Sequence, residues 1–228
     1  MSEELLKAIV QLFAIVAKER ITEDERSNIK EFLSLHLNQE STRYYLNLFD
    51  DYCKSNKRVA LAGLSVDDAT QEFLDDWAQI MQIVKKVNQA LTTQQKAVLV
   101  VKIIELVFAD GQLSERQSNL IYYIGEALKI SQKDLRAMRS FVMGQEIEEL
   151  NSKNILLIDE GDNHYGHQGP WLTSRNLNGL VAILRLPDFE TYFIKYLGIS
   201  SLYINSIPLK SRKVDVFGAG STIRSSKI

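Results

Sequence analysis

The chain has 228 residues, of which 45% are hydrophobic and 25% charged, with 27 basic and 29 acidic side chains. This composition is typical of a soluble globular protein and excludes a disordered chain, a collagen and a disulfide scaffold. A net charge of −2 gives no electrostatic reason to expect nucleic-acid binding, and the single cysteine, Cys53, cannot form an internal disulfide, which favours a reducing compartment.

The N-terminal region carries no recognisable targeting or membrane-spanning segment. Residues Met1–Glu4 are acidic where a secretory signal needs positive charge. The first apolar stretch, Ile9–Ala17, is interrupted by Gln11 and is shorter than the ~20 residues that cross a bilayer. We therefore expect a cytoplasmic protein without direct membrane insertion, which reaches the inner face of a membrane only through a larger parent protein.

Composition changes near Asn151. All three prolines and seven of the eleven glycines lie after residue 150. Residues 1–150 carry a net charge of −5 (18 basic, 23 acidic), whereas residues 151–228 carry +3 (9 basic, 6 acidic). Helices exclude proline and tolerate little glycine, whereas short strands and turns use both. We predict an α+β protein with an all-helical domain over 1–150 and a β-rich domain over 151–228.

The helical part contains an internal repeat. Apolar residues at helical spacing occur over Leu5–Ala17 and again over Ala97–Ala109, at an offset of 92 residues. A second helix follows each stretch, and a third is predicted at about Glu40–Lys54 and Gln132–Met143. A longer helix, about Val66–Gln89, links the two halves. The pattern predicts a bundle of about seven helices built from a duplicated three-helix unit.

Helix starts are marked by capping boxes. Thr22–Glu25 and Ser114–Gln117 both have the pattern S/T-x-x-E/Q, in which each side chain hydrogen-bonds to the other residue's backbone N–H. Ser65, Thr92 and Ser131 begin similar phrases and predict further helix starts.

Short extended runs replace the helical spacing after Asn151. They are separated by turns at Pro187-Asp188, Ser206-Ile207-Pro208 and Gly218–Gly220, and predict a small, mostly antiparallel sandwich or partial barrel. The predicted strands cover residues 155–158, 180–186, 189–197, 202–205, 213–217 and 221–224. The chain stops soon after the last run, so we expect a β domain that is incomplete at its C-terminus, with a short natural terminus as the alternative.

An aromatic run, Tyr192-Phe193-Ile194-Lys195-Tyr196, carries one basic residue. Such a stripe can stack nucleobases in single-strand binders. With a net charge of only +3 over residues 151–228, we interpret it instead as two packed faces of a sheet.

The helical region resembles the TerB-like family, named after a tellurite-resistance protein. The resemblance rests on Phe108–Ser114 (FADGQLS), on Ile121 and Gly125, and on Leu128–Ser131, and it covers about residues 3–145. It implies a compact all-α bundle with pseudo-twofold symmetry. It also implies an acidic metal site, in which the Asp of Ala-Asp-Gly pairs with a Glu seven residues later.

That pair of carboxylates is broken in both halves. The second half has Asp110 with Gln117, and the first has Lys18 with Glu25. A hard cation needs several oxygen ligands and compensating negative charge, so we expect no cofactor other than a weakly bound divalent metal. A composite site from Asp110 and Glu25 is one hypothesis. The favoured interpretation is structural, with Asp110 in a turn and Glu25 and Gln117 as capping-box partners.

A second group of possible metal ligands lies in one glycine-rich loop. It comprises Asp159, Glu160, Asp162, His164 and His167. Imidazole and carboxylate groups suit a transition metal, which makes His164 and His167 candidate ligands. A flexible loop imposes no coordination geometry, so a solvated linker is the favoured interpretation.

The β-rich region resembles a segment that follows such helical domains in some bacterial ABC-type transporter ATPases. The phrases that carry this resemblance are Leu177–Leu180, Tyr192–Gly198, Leu202–Ser206 and Phe217–Arg224. It implies that these 228 residues are a soluble N-terminal accessory region, with nucleotide-binding and membrane domains beyond Ile228.

No catalytic set is recognisable in the sequence. Gly218–Ser221 lacks the GK[ST] ending of a phosphate-binding loop, and acidic neighbours of Cys53 would raise the pKa of its thiol. We therefore expect a non-catalytic interaction or regulatory module whose partners are other protein domains, including domains of the same longer chain. The alternative is a stand-alone metal-responsive stress protein that binds a divalent cation.

Overall fold

The computed structural model describes residues 2–17, 21–60, 66–161, 166–175 and 177–225. Over these residues, helices precede strands, which confirms the α+β class. The chain divides into two units, residues 1–132 and 133–228. The boundary falls after Gln132, whereas the composition changes near Asn151. In the described part of the chain, no helix combines the length and the apolarity that crossing a membrane requires.

The described helices agree closely with those predicted from the sequence. The second and sixth helices begin at Glu23 and Glu115, which are 92 residues apart. The capping residues that precede them, Thr22 and Ser114, have the same spacing. The seven helices are α1 (Glu3–Val16), α2 (Glu23–Ser34), α3 (Gln39–Ala60), α4 (Val66–Ala90), α5 (Thr93–Val107), α6 (Glu115–Ala127) and α7 (Gln132–Met143).

Three of these helices begin with a capping box. Thr22 precedes α2, Thr92 precedes α5 and Ser114 precedes α6, and each hydroxyl accepts a hydrogen bond from the backbone N–H three residues later. The side chain at that third position accepts in turn from the N–H of the capping residue. The predicted helix starts at these positions are therefore confirmed, and each such cap contributes ~1 kcal/mol to stability.

The core of the first unit is built around α1 and α5. Most residues of both helices are shielded from solvent, and their buried residues are apolar. Helix α1 contacts α3, α4, α5 and α6, and α2 packs against α3 and α5. Helix α1 therefore lies at the centre of this unit, since it contacts four of the other helices.

A buried ion pair connects helices of this unit. The Arg116 guanidinium on α6 donates to Asp76 Oδ2 on α4 at 2.6 Å and to the carbonyl oxygen of Ile15 at 3.2 Å. Asp76 is 2% exposed. Because a buried charge is stable only when it is paired and hydrogen-bonded, this contact fixes the register of α4 against α6.

The described residues of the second unit form two sheets. The larger has the strand order β2-β1-β3-β4-β7, with β1 and β2 parallel and the other neighbours antiparallel; the smaller has the order β6-β5-β8. The strands are β1 (Ile155–Asp159), β2 (Trp171–Thr173), β3 (Leu180–Leu186), β4 (Thr191–Leu197), β5 (Leu202–Ile204), β6 (Ile207–Pro208), β7 (Val214–Val216) and β8 (Ile223–Ser225). Neither β2 nor β6 is among the strands predicted from the sequence.

The predicted turn at Ser206-Ile207-Pro208 is wrong in position. Asn205 and Ser206 alone form the turn, with φ of +48° and +72°, and Ile207 already pairs with Ile204 in β6. Two residues with positive φ are characteristic of the type I′ hairpin, whose twist matches that of its strands. Pro208 lies in an edge strand, where its missing N–H costs no ladder hydrogen bond.

An apolar cluster fills the space on one face of β3 and β4. Val181 and Tyr196 are opposite each other in the ladder, as are Ile183 and Ile194, and all four belong to the cluster together with Leu202 of β5. The prediction that Tyr192–Tyr196 packs in a sheet is confirmed for Phe193–Tyr196, which are buried, whereas Tyr192 is exposed.

Lys195 occupies the opposite face of β4 and is 0% exposed. Its Nζ donates to the backbone carbonyl oxygens of Phe141 at 3.1 Å, Val142 at 2.7 Å and Gly144 at 2.5 Å. Phe141 and Val142 lie in the last turn of α7, whose last four carbonyls have no partner within the helix, and Gly144 directly follows that helix. A cation at the negative end of the helix dipole is favourable, so Lys195 caps α7 from the sheet.

A short turn after α7 is held by Glu149. Its Oε2 accepts hydrogen bonds from the backbone N–H of Gln145 at 2.6 Å and of Glu146 at 3.3 Å. These two bonds, and then the positive charge of Lys195, hold the pKa of the Glu149 carboxyl below its usual range.

Candidate functional site

Glu25 lies at the third position of α2, where its carboxylate completes a capping box. Its Oε2 accepts a hydrogen bond from the backbone N–H of Thr22 at 2.7 Å, and Thr22 Oγ1 accepts from the N–H of Glu25 at 3.1 Å. The residue is 3% exposed. The carboxylate therefore stabilises the start of α2, as the structural interpretation of the sequence predicts.

Gln117 makes the same capping contacts at the start of α6. Its Oε1 accepts from the N–H of Ser114 at 3.0 Å, and Ser114 Oγ accepts from the N–H of Gln117 at 3.2 Å. A neutral amide can replace a carboxylate here because the cap needs only an acceptor oxygen. A metal site would also need the negative charge, which Gln117 does not supply.

Asp110 lies in the connection between α5 and α6 and is exposed. Its Oδ1 accepts from the backbone N–H of Gln112 at 3.0 Å, and Gly111 between them has φ of +79°. This is an Asx turn, in which an aspartate organises the two residues that follow it. Lys18, the position equivalent to Asp110 in the first half, lies outside the described residues.

The glycine-rich loop that contains His164 and His167, which we call the histidine loop, is described only in part. His164 and Asp162 lie outside the described residues. His167 Nε2 donates to the carbonyl oxygen of Ile155 at 3.0 Å, and its ring packs edge-on against Trp171 at a centroid distance of 5.7 Å. The buried Nδ1 has no hydrogen-bond partner among the described residues.

Asp159, a further member of the histidine loop, has partners of its own. Its Oδ1 accepts from the Trp171 indole N–H at 3.1 Å and from the backbone N–H of Gly161 at 3.0 Å. Within the described part of the chain, no three His, Cys, Asp or Glu side chains come close enough together to hold a metal ion.

An exposed apolar surface on α4 and α6 is a feature that the sequence analysis misses. We call it the α4–α6 surface and define it by Leu74, Trp77 and Met81 of α4 and Tyr122 and Tyr123 of α6. Leu74 is 51% exposed and Met81 43% exposed. The rings of Trp77 and Tyr123 lie 5.5 Å apart, and those of Tyr122 and Tyr123 lie 5.6 Å apart, all edge-on.

The spacing of this surface follows one stripe of α4. Leu74, Trp77 and Met81 are three and four residues apart and so share one side of the helix. The buried stripe of α4 contains Ile80 and Val84 and lies next to it. The signal is present in the sequence, but an apolar stripe beside the core stripe is easily taken for part of a broad core face.

A comparison with known families agrees with the helical architecture. The chain matches the family model described as "Tellurite resistance protein TerB" over residues 6–140, from within α1 to within α7. No curated protein and no solved structure matches the chain. The matched region exceeds half of the 228 residues. It contains the Ala-Asp-Gly turn and the capping boxes of α2 and α6, in which Glu25 and Gln117 are the capping partners. The chain therefore belongs to the TerB family.

Proposed function

We propose that this TerB-family chain is a non-catalytic interaction module that binds another protein domain through the α4–α6 surface. The observation that carries the proposal is this cluster of aromatic side chains and a methionine on the outside of a helical unit. Aromatic residues and methionine are enriched at the buried centres of protein interfaces. Singly exposed apolar residues are ordinary, whereas an exposed contiguous group indicates a binding surface.

The charge of the helical region indicates the kind of partner. Residues 1–150 carry a net charge of −5, and Asp75 lies exposed between Leu74 and the buried Asp76. Complementary charge around an apolar centre increases association rates and selects partners. The proposed partner is therefore an apolar helix or sheet face bordered by basic residues.

The proposed role includes no catalytic step and no cofactor. Cys53, the only thiol of the chain, is buried, and the sequence has no phosphate-binding loop. Glu25 and Asp110, the carboxylates proposed as metal ligands, hydrogen-bond to backbone N–H groups. Membership in the TerB family keeps the metal-responsive stress protein as the competing hypothesis.

We also propose that the chain works as an accessory region of a larger, membrane-associated ABC-type transport ATPase, on its cytoplasmic side. The support is the resemblance of Tyr192–Gly198 and the phrases around it to the segment that follows helical domains in such ATPases. The partner domain would then belong to the same transport machine.

Photo-crosslinking in the native cells tests the interaction. A photoreactive amino acid at Met81 should give one discrete crosslinked species whose partner peptide belongs to a transport ATPase. The matched position is Asn47, which is exposed on α3 and should give none. Equal crosslinking at both positions, or none at Met81, would contradict binding through the α4–α6 surface.

Two further measurements separate the competing hypotheses. The intact mass of the protein captured from its own cells should be several times 26.0 kDa and found in the membrane fraction, whereas a mass of 26.0 kDa overturns the accessory-region proposal. Calorimetry with Ca²⁺ and Zn²⁺ should give no binding heat. Heat that Asp110→Ala removes would instead support the metal-responsive stress protein.

A further inference from the structure

A pocket of about 410 Å³ lies at the junction of α2 and α3, within the first unit. We call it the α2–α3 pocket. It takes two residues from the last turns of α2, one from the connection and four from the first turns of α3. The lining residues are Lys30, Ser34, Leu37, Gln39, Thr42, Arg43 and Leu46.

Thr42 contributes a buried hydroxyl to this pocket. The residue is 6% exposed, and its Oγ1 has no hydrogen-bond partner within the described part of the chain. A threonine hydroxyl inside a helix can donate to the carbonyl four residues earlier. The carbonyl oxygen of Asn38 accepts the backbone N–H of Thr42 at 2.9 Å but not its hydroxyl, which is left as a donor that lines the pocket. Buried hydroxyls almost always have a partner, so this one points to a ligand.

Two cations and no carboxylate line the pocket. Lys30 comes from α2 and Arg43 from α3, and neither forms an ion pair with a described residue. The nearby Arg26, by contrast, is held by Asp50 at 2.9 Å. A pair of cations with no carboxylate among the lining residues favours the binding of an anion.

The remaining lining separates into donors and apolar contacts. Gln39 adds a side-chain amide, whereas Ser34 Oγ already donates to the carbonyl oxygen of Lys30 at 2.7 Å. Leu37 and Leu46 supply apolar surface. A pocket of a few hundred Å³ with apolar walls and a few converging polar groups is of the kind that holds a small organic molecule.

We propose that the α2–α3 pocket binds a small, soluble phosphate ester. Ammonium, guanidinium and hydroxyl donors come from two different helices, so they approach a ligand from several directions. A tetrahedral phosphate presents oxygens in several directions, whereas the two oxygens of a carboxylate lie in one plane. The positive end of the α3 dipole adds to the attraction, and the leucines contact the organic part of the ester. This site is independent of the α4–α6 surface.

Titration of the ¹⁵N-labelled full chain tests the proposal, with phenyl phosphate as the probe and amide chemical shifts as the readout. Phenyl phosphate should cause saturable shifts at Gln39–Arg43 in the millimolar range, inorganic phosphate weaker shifts at the same amides, and benzoate the weakest. Shifts that do not saturate, or saturable shifts located elsewhere, would overturn the pocket. Equal affinity for benzoate would overturn the assignment to phosphate.

Substitutions distinguish this pocket from general attraction of anions to the surface. Thr42→Val removes the hydroxyl but keeps the shape, and we expect a loss of affinity of about tenfold. Arg43→Gln should have an effect of similar size through the loss of charge. The control is Lys85→Gln, on the exposed side of α4, which should stay within about twofold. If Thr42→Val fails to fold, Arg43→Gln against Lys85→Gln decides the question, and equal losses would overturn the proposal.

Discussion

Replacement of Lys195 by methionine tests a buried polar contact of the second unit. The substitution keeps an unbranched stem of nearly the same length and removes only the ammonium. Three carbonyl oxygens at the end of α7 then lose a donor, at 3.1, 2.7 and 2.5 Å from Nζ. Because the side chain is 0% exposed, water cannot replace that donor without opening the packing between α7 and the sheet.

The size of the effect follows from two opposing terms. A hydrogen bond to a charged group contributes about 1.5–3 kcal/mol, so three contribute roughly 4.5–9 kcal/mol. Burial of the ammonium costs several kcal/mol, and the substitution removes that cost. We therefore expect Lys195→Met to lower the free energy of unfolding by about 2–4 kcal/mol.

Urea denaturation of the full chain measures this loss. The chain has two tryptophans, so a Trp77→Phe background leaves Trp171, in β2, as the fluorescent reporter for the unit that contains Lys195. The matched control is Lys153→Met, an exposed lysine before β1, which should change stability by less than about 0.5 kcal/mol. The reasoning would be refuted if Lys195→Met lost as little stability as the control while the slope of the unfolding free energy against urea concentration stayed unchanged.

Three further predictions concern local structure. Ser114→Ala removes the hydroxyl of a capping box and should lower the free energy of unfolding by about 1 kcal/mol; an unchanged urea midpoint would argue against the cap. The lowered pKa of Glu149 means that its stabilisation is present above about pH 4.5 and is lost as the pH falls through the folded-state pKa. Between pH 7 and pH 3, the free energy of unfolding of Glu149→Gln should therefore fall less than that of the parent. If the two free energies fell in parallel with pH, the prediction would be contradicted. Gly179→Ala, whose Cβ would stand 2.7 Å from a neighbouring backbone atom at φ +115°, should cost about 2 kcal/mol or more. Gly220→Ala, with φ +82° and nothing within 4 Å of its Cβ, should cost about 1 kcal/mol; equal melting temperatures for the two variants would count against the steric argument.

The helices could be predicted from the sequence because their signals are local. A capping box depends on two side chains three residues apart, so Thr22 and Ser114 identify the starts of α2 and α6 without any tertiary information. The same locality allowed Glu25 to be interpreted as a capping partner. The strand β3 was equally accessible, since Leu180–Leu186 is an apolar run of ordinary strand length.

The short strands could not be predicted because pairing, rather than composition, defines them. Trp171–Thr173 is a strand only because it lies parallel to β1, and no pattern in three residues indicates that register. Ile207–Pro208 contains a proline and follows two turn residues, so local rules place it within the turn. Its pairing with β5 decides otherwise.

The capping of α7 by Lys195 could not be predicted from the sequence for a related reason. Its acceptors lie 51 to 54 residues earlier in the chain, and a lysine in a strand ordinarily faces solvent. The α2–α3 pocket was hidden likewise, because the orientation of Thr42 depends on how α2 packs against α3.

The capping of α7 by Lys195 means that the end of the TerB family match does not coincide with a boundary at which the chain could be cut without loss of stabilising contacts. The TerB family match ends at residue 140, whereas the carbonyls that Lys195 binds begin at Phe141. A chain cut at the end of the family match would keep most of α7 but lose the side chain that terminates it. An exchange of β regions between relatives would therefore conserve the last helix only where the incoming sheet also presents a buried cation at this position of β4.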